Sequence, residues 1–213
     1  ASGTARTIIS ADGERTFATN LGASLELNER VITPEIFSKW DYCYVEGYLI
    51  ANKPAFTKTI SVAKECGCKV ILDLASFNVV EDNCEFLNEL LPQIDIIFAN
   101  EEEAKALTQK TAEESLHYIA ENVDIAVVKI GKKGSLIKRG EEVVQIGCNK
   151  IDVVDTTGAG DMYAAGFLYG LIKGYDLERC GTIGNHLAES IIQVVGAKMD
   201  EDRWNEFKNL AQI

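Results

Sequence analysis

The stretch that decides the fold is DTTGAGD, residues 155–161, together with the segment MYAAGFLYGLI that follows it at residues 162–172. Apolar residues in KIDVV, residues 150–154, predict a strand that runs into this glycine-rich turn. The segment after the turn contains no charged residue. A helix that is apolar on all sides is normally buried, so we expect this turn at the centre of the fold.

A strand, a Gly-Ala-Gly turn and a helix in this order aim consecutive backbone N–H groups at one point, which favours anion binding. Gly158 and Gly160 let a phosphate approach the backbone, and the helix dipole favours negative charge there. Asp161, at the start of the helix, is placed to accept a proton from a nearby hydroxyl, as a general base does in phosphoryl transfer. The alternative is that Asp161 only caps the helix.

Outward from the turn, short apolar runs alternate with amphipathic segments. This alternation is typical of βαβ units and predicts an α/β fold with a mostly parallel sheet. The predicted strands are Tyr42–Val45, Lys69–Leu74, Ile94–Ala99 and Asp124–Ile130, followed by a hairpin at 135–138 and 142–146. The predicted helices are 55–66, 81–91, 101–121 with a break near 108–111, 177–195 interrupted by Gly181 and Gly184, and 201–210.

Composition restricts the class of partner. The 213 residues include 21 basic and 33 acidic side chains, a net charge of −12 that disfavours nucleic acids and anionic membranes. A phosphate-binding site in such an acidic protein must then be local, built by backbone N–H groups and a few cations. The six cysteines show no paired CxxC spacing, and neither a signal peptide nor a long apolar run is visible, so we expect reduced thiols in a cytoplasmic protein. The motifs GxxxxGK[ST], GxGxxG and GxSxG are absent, which disfavours a Walker loop, an NAD oxidoreductase and a hydrolase.

DTTGAGD followed by an apolar helix resembles the signature of the ribokinase-like (PfkB-type) carbohydrate and nucleoside kinases, and the resemblance extends along nearly the whole chain. It implies a single ribokinase-like domain over residues 1–213, with a three-layer α/β/α fold and a mostly parallel central sheet. It also implies Mg²⁺-dependent transfer of the ATP γ-phosphoryl group to a primary alcohol. The roles that it implies are Asp161 as the base, Gly158, Ala159 and Gly160 as the anion hole, and Asp155 and Thr157 in a loop that holds a monovalent cation such as K⁺, with carbonyls near 194–198.

Two further motifs carry the resemblance towards the nucleotide. Asn100 and Glu103 are similar to the family's NxxE motif, whose Glu helps to position Mg²⁺ and phosphates, but the same spacing is a helix capping box, and both readings stay open. Gly131 and Gly134 match the nucleotide loop, whereas Lys129 stands where a Thr is usual and offers a point charge to phosphates. The neighbouring Lys132 and Lys133 are typical of a solvated turn. Asn185 and His186 fall where relatives line the adenine pocket, or they simply pack.

Three stretches of the sequence bear on the identity of the phosphoryl acceptor. The stretches 14–16, 20–23 and 72–77 resemble the adenosine kinase branch, in which Arg15 lies near the transferring phosphate, although Arg15 also suits an exposed hairpin. Relatives carry an N-terminal segment that supplies acceptor contacts and a lid. We expect residues 1–24 to belong to that lid or sheet-edge region, and the chain to be N-terminally incomplete.

The sequence thus predicts a kinase of a nucleoside, adenosine-like, or of a sugar. The alternatives are a ribose- or fructose-type sugar kinase and a nucleotide-binding fragment without turnover. The expected partners are ATP, Mg²⁺, K⁺ and a small nucleoside or sugar, with no nucleic acid and no membrane. Oligomeric state is left open, a homodimer included.

Overall fold

The structure, a computed structural model, describes residues 1–9, 15–20 and 22–213. The side chains of residues 9, 15–17 and 25 lie outside that description. The stretch Asp12-Gly13-Glu14, which is typical of a hairpin turn in sequence, also lies outside it. The strands are β1 (Thr4–Ile9), β2 (Arg15–Asn20), β3 (Tyr42–Glu46), β4 (Lys69–Asp73), β5 (Ile96–Asn100), β6 (Ile125–Lys129), β7 (Ser135–Arg139) and β8 (Glu142–Ile146). The α-helices are α1 (Pro34–Phe37), α2 (Lys53–Glu65), α3 (Phe77–Asp82), α4 (Cys84–Leu90), α5 (Glu101–Thr108), α6 (Ala112–Ala120), α7 (Ala159–Ile172), α8 (Leu177–Ile191) and α9 (Glu201–Ala211).

Strands β3 to β8 form one six-stranded sheet in sequence order. Strands β3 to β6 are parallel to one another, whereas β7 and β8 add antiparallel strands at one edge. The alternation of apolar runs and amphipathic helices predicted this mostly parallel sheet, and the prediction is confirmed. Strands β1 and β2 form a separate antiparallel pair.

Helices cover both faces of the large sheet, which gives three layers. Helices α2, α5 and α6 pack on one face, where Phe56, Ile97 and Leu116 are fully buried. Helices α7 and α8 pack on the other face, where Phe98 lies against Tyr163 and Phe167. Side chains alternate between the faces of a strand, so every second residue of β4, β5 and β6 faces α7. The carboxyl ends of these strands thereby meet the start of α7.

The strand predicted at residues 150–154 is wrong. The chain there forms an irregular segment, and the N–H groups of Val154 and Asp155 both donate to the carbonyl of Ile192, at 2.8 and 3.2 Å. Val153 is 56% exposed and Val154 is 52% exposed, so the apolar residues that suggested a strand do not enter the core. The segment leads into the turn by bonding to the end of α8 instead of to a sheet.

Helix α7 is not buried on all sides, contrary to the expectation from its composition. Ile172 is 63% exposed and Tyr169 is 37% exposed, whereas Phe167 is fully buried against the sheet. Helix α8 is also continuous through Gly181 and Gly184 and ends at Ile191. These glycines are packing positions and not interruptions.

Close packing of α7 on α8 requires glycine at the crossing. A Cβ atom at Gly184 would lie 2.9 Å from the carbonyl oxygen of Tyr163, and one at Gly166 would lie 2.9 Å from the Cα atom of Gly184. Atoms do not approach a Cβ this closely, so a side chain at either position would push the two helices apart. The position of α7, and with it the glycine-rich turn, depends on this contact.

Gly184→Ala is expected to lower the free energy of unfolding. Overpacking costs about 1–3 kcal/mol, which outweighs the roughly 1 kcal/mol that Ala gains over Gly in a helix. The matched control is Gly147→Ala, because a Cβ at Gly147 has open space around it and no positive φ. Urea unfolding of the two variants measures the difference. Equal stability of both variants would show that the helices do not touch at Gly184.

Candidate active site

The start of α7 is an uncapped helix N-terminus. Gly158 adopts the left-handed conformation (φ 79°) and no side chain caps the helix. The first-turn N–H groups of a helix have no partner within the helix. The N–H groups of Ala159 and Met162 bond to the carbonyls of Thr156 and Gly158, at 3.2 and 2.9 Å. Of the predicted anion-hole residues Gly158, Ala159 and Gly160, Ala159 therefore already donates to Thr156. The N–H groups of Gly160 and Asp161 have no hydrogen-bond partner among the described residues, which leaves them available to an anion.

Asp161 lies in the first turn of α7 and its side chain is exposed. The six ion pairs found among the described residues do not include it. Its charge contributes to raising the pKa of Glu46, on strand β3. Asp161 thus faces the carboxyl edge of the sheet with its carboxylate accessible, the arrangement that a general base needs.

Asp155 ties two loops together. Its Oδ1 accepts hydrogen bonds from the N–H and the hydroxyl of Thr157, at 2.9 and 2.6 Å, and its Oδ2 accepts from the N–H of Gly196, at 2.9 Å. Asp155 is 5% exposed. The loop that the resemblance assigns to a monovalent cation therefore lies beside residues 194–198, which were expected to supply carbonyls. The cation itself stays a prediction.

The carboxyl edge of the sheet places charged and polar side chains beside the glycine-rich turn. Parallel pairing places Glu46 beside Asp73, and Asn100 beside Lys129. All four side chains project towards α7, because each lies two or four residues after a side chain of the same strand that belongs to or packs against the core cluster on the α7 face. Asn100 and Lys129 were predicted as site residues from their motifs, whereas Glu46 and Asp73 were not predicted. The available signal was an acidic residue at the end of each of two predicted parallel strands, where ligands bind in such sheets.

Lys129 connects this edge to the anion hole. Its Nζ atom lies 3.3 Å from Oδ2 of Asp73, and their side chains are 16% and 7% exposed. The same Nζ lies 3.2 Å from the position that a Cβ would take at Gly160. The lysine that departs from the family pattern thus places a positive charge against the backbone of the anion hole.

Asn100 and Glu103 form the capping box of α5. The Asn100 side chain accepts from the N–H of Glu103 at 2.8 Å, and the Glu103 carboxylate accepts from the backbone and side-chain nitrogens of Asn100, both at 2.7 Å. The capping interpretation is confirmed. Burial raises the pKa of Glu103, while the Asn100 N–H and the charge of Lys129 act in the opposite direction. A role of Asn100 and Glu103 towards Mg²⁺ and phosphates stays a prediction.

The nucleotide-loop residues lie after β6. Gly131 and Gly134 have φ of 58° and 99°, and the N–H of Gly134 donates to the carbonyl of Gly131 at 2.9 Å. A Cβ at Gly131 would have open space around it. The two glycines therefore shape a tight turn that leaves one side of the backbone accessible, and their contact with a nucleotide stays a prediction.

Asn185 and His186 lie on α8 and contact the segment that follows β8. The Asn185 amide donates to the carbonyl of Gly147 at 2.9 Å, and Nδ1 of His186 lies 3.4 Å from Glu189. Glu189 in turn accepts two hydrogen bonds from Asn149, at 2.6 and 2.9 Å. These residues hold the segment in place, and a position in an adenine pocket stays a prediction, as does the role of Arg15, whose side chain lies outside the description.

Glu46 provides a pH-dependent contribution to stability. Partial burial and the charges of Asp73 and Asp161 raise its pKa to about 7, with Lys129 acting the other way and Glu103 adding to the increase. The folded state therefore binds more protons than the unfolded state between about pH 4.5 and 7, and stability falls as pH rises through this range. Glu46→Gln is expected to remove that slope, so that the variant gains thermal stability relative to wild type at pH 7.5 but not at pH 4. Melting curves at the two pH values check this, and parallel shifts at both would contradict it.

The described residues do not contain a cluster of three or more His, Cys, Asp or Glu side chains that would enclose a metal ion. The start of α7 and the sheet edge offer the carboxylates of Asp161 and Glu103, and such residues fit Mg²⁺, which binds through one or two carboxylates together with phosphates and water. Within the same residues, every helix is too short or too polar to traverse a bilayer.

Comparison with known proteins shows which proteins the chain resembles. The family model described as pfkB family carbohydrate kinase matches residues 1–203. A protein described as an uncharacterized sugar kinase of Archaeoglobus fulgidus is 30% identical over 92% of this chain and 79% of its own length. A probable sugar kinase from Rhizobium etli superposes with a TM-score of 0.91 at 32% identity, over 99% of this chain and 66% of its own. An adenosine kinase from Sinorhizobium meliloti gives 0.90 at 32% identity, over 97% of this chain and 65% of its own.

Proposed function

The chain belongs to the pfkB family of carbohydrate kinases, and from this membership we propose that it transfers the γ-phosphoryl group of ATP to a hydroxymethyl group of a small nucleoside or sugar. The chain spans about two thirds of the two solved kinases that it resembles, so the activity is proposed for the chain on the strength of its own site. The ribokinase-like fold expected from the sequence is confirmed by these neighbours.

The observation that carries the proposal is the pairing of an accessible carboxylate with a helix N-terminus that no side chain caps. Asp161 accepts the proton of the acceptor hydroxyl, and the resulting oxygen attacks the γ-phosphorus in line with the leaving oxygen. The N–H groups of Gly160 and Asp161 stabilise the negative charge of the transferred group. Lys129 adds a positive charge beside them.

The remaining residues bind and orient ATP and the metal ions. Bound ATP and Mg²⁺ supply the phosphoryl group and neutralise phosphate charge. Glu103, in its capping box at the sheet edge, is the residue that we propose for orienting water around the ion. The loops joined by Asp155 and Thr157 are those that we propose for K⁺, whose role there is to fix the backbone that forms the anion hole.

The acceptor is proposed as a class. A sugar kinase and an adenosine kinase superpose on this chain equally well, both at 32% identity, which supports either acceptor. The stretches resembling the adenosine kinase branch favour a nucleoside. The alternative, nucleotide binding without turnover, is distinguished from a kinase by the assay described next.

The test is ADP release with ATP and Mg²⁺ over a panel of adenosine, other nucleosides, ribose and fructose, with K⁺ and with Na⁺ only. We expect acceptor-dependent ADP release that K⁺ increases. Release that does not depend on any acceptor would indicate an ATPase, and calorimetric ATP binding with no release on the whole panel would favour nucleotide binding without turnover.

A further inference from the structure

Asp73 is a buried carboxylate that the proposed mechanism does not use. Its Oδ1 accepts from the N–H of Ala75 at 3.2 Å, and its Oδ2 accepts from the hydroxyl of Tyr44 at 3.2 Å and from the Lys129 ammonium at 3.3 Å. Asp73 is 5% exposed, so its charge is held away from bulk water. Burial of a carboxylate is costly unless it is paired, and Lys129 provides the pair.

Lys129 is held on two sides. Asp73 lies on the sheet side of its ammonium, and the backbone of Gly160 lies on the α7 side, with only 3.2 Å between Nζ and the position of a Cβ on Gly160. A lysine side chain has four rotatable bonds and loses much entropy on being fixed. An ammonium that pairs with a fixed carboxylate therefore occupies one position, which here is the edge of the anion hole.

Tyr44 adds a further constraint on the carboxylate. It projects from β3 and reaches Asp73 on β4 with its hydroxyl, and burial together with the charge of Asp73 raises its pKa above the ordinary tyrosine value. The hydroxyl therefore stays protonated and donates. Because Tyr44 fixes the oxygen that also pairs with Lys129, the three side chains form one chain of contacts from the sheet edge to the turn.

We propose that Asp73 is a positioning residue that holds the Lys129 ammonium beside Gly160, so that the charge meets the phosphoryl group during transfer. This inference rests on the proposed function and extends it to residues at the end of β4 and on β3. Lys129 contacts the transferred group, whereas Asp73 acts only through Lys129. Tyr44 sets the orientation of Asp73.

Asp73→Asn removes the ion pair with Lys129 and keeps the other hydrogen bond of the side chain. The amide oxygen of Asn can still accept the hydrogen bond from Ala75, which has a positive φ of 65° and follows β4 directly, so the local turn is retained. The side-chain nitrogen that replaces Oδ2 cannot pair with an ammonium. The variant therefore frees Lys129 at little cost to the backbone.

The experiment is a double-mutant cycle of Asp73→Asn and Lys129→Met, with kcat, KM for ATP and thermal stability measured for each variant. Asp73→Asn alone is expected to lower kcat about 10- to 100-fold with a smaller change in KM, because the charge acts on the transition state. Lys129→Met is expected to lower kcat by about 10²–10³-fold. If Asp73 acts only through Lys129, the double variant is no slower than Lys129→Met alone.

The control is Lys64→Met, which removes an ion pair of 2.8 Å with Asp95 at the opposite, amino end of the sheet. It should leave kcat unchanged. Multiplicative losses in the double variant would overturn the proposal, because they would mean that Asp73 contacts substrate independently. Wild-type kcat in Asp73→Asn would overturn it as well.

The cycle also separates this inference from the proposed function. Calorimetry with Mg²⁺ and the non-hydrolysable analogue AMP-PNP measures the same coupling without turnover. A wild type that binds the analogue but releases no ADP on any acceptor contradicts the kinase proposal, and loss of affinity in Asp73→Asn that vanishes in the Lys129→Met background still supports the positioning role. Where the wild type shows no turnover, affinity that is equal in all four proteins, or absent from the wild type, overturns the positioning role.

Discussion

Asp161→Asn is expected to lower kcat by about 10²–10⁴-fold while ATP affinity is retained, because general-base assistance is lost and the charge-binding amides remain. Asparagine keeps the size of the side chain and cannot take a proton from a hydroxyl. Asp161 is exposed, so the substitution leaves the core unchanged. Initial rates of ADP release with the best acceptor, combined with calorimetric ATP binding, measure both quantities.

The matched control for this prediction is Asp202→Asn. Asp202 is also an exposed aspartate in the first turn of a helix, α9, far along the chain from the turn. If Asp161 only stabilises its helix, the two variants will show similar small changes in melting temperature and no change in kcat. A selective loss of kcat in Asp161→Asn distinguishes a base from a cap, and unchanged turnover in that variant would remove the proposed base.

Gly134→Ala is expected to give the largest loss of stability of any single substitution described above. Gly134 has φ of 99°, and a Cβ there would lie 1.7 Å from the carbonyl oxygen of Ile146, a backbone atom that cannot move without shifting β8. The backbone of Gly134 has φ 99° and ψ −128°, a combination that is unfavourable for a residue with a Cβ and costs Ala about 1–3 kcal/mol, and the forced displacement adds about 1–3 kcal/mol. Urea unfolding should therefore show a loss of roughly 2–6 kcal/mol.

Gly140→Ala separates the two contributions. Gly140 lies in the turn between β7 and β8, has φ of 55°, and would have open space around a Cβ. It should lose only the conformational term of about 1–2 kcal/mol. If Gly134→Ala were no less stable than Gly140→Ala, the close approach of the β6–β7 turn to β8 would be wrong.

Local patterns in the sequence were sufficient to predict most of the strands and helices. The apolar runs that predicted β3 to β6 and the amphipathic segments between them are properties of single stretches, and burial on both faces makes such strands apolar throughout. The predicted break near 108–111 is confirmed, and in the structure a second capping box, formed by Thr111 and Glu114, begins α6 there. Local patterns fail at the segment 150–154, where the apolar residues suggest a strand but the chain pairs with no other strand.

The site could be predicted only in part, for a physical reason. The glycine-rich turn and its aspartate are contiguous, so their chemistry is visible in a short motif. Asp73 and Lys129 are 56 residues apart, and their ion pair exists because β4, β5 and β6 are neighbours in a given register. Pairing register is a tertiary property that a single sequence does not specify. Likewise, Gly184 was taken for an interruption because its neighbour across the helix crossing cannot be identified from spacing.

The central claim is that the start of α7 receives the phosphate, and the most direct test is to observe its amides. In ¹H–¹⁵N correlation spectra of the wild type titrated with AMP-PNP and Mg²⁺, we predict downfield shifts of the Gly160 and Asp161 amide protons, since hydrogen bonds to an anion deshield them. The Gly140 amide, in the hairpin turn, should stay in place. Saturable binding of the analogue with unmoved Gly160 and Asp161 signals would contradict the account.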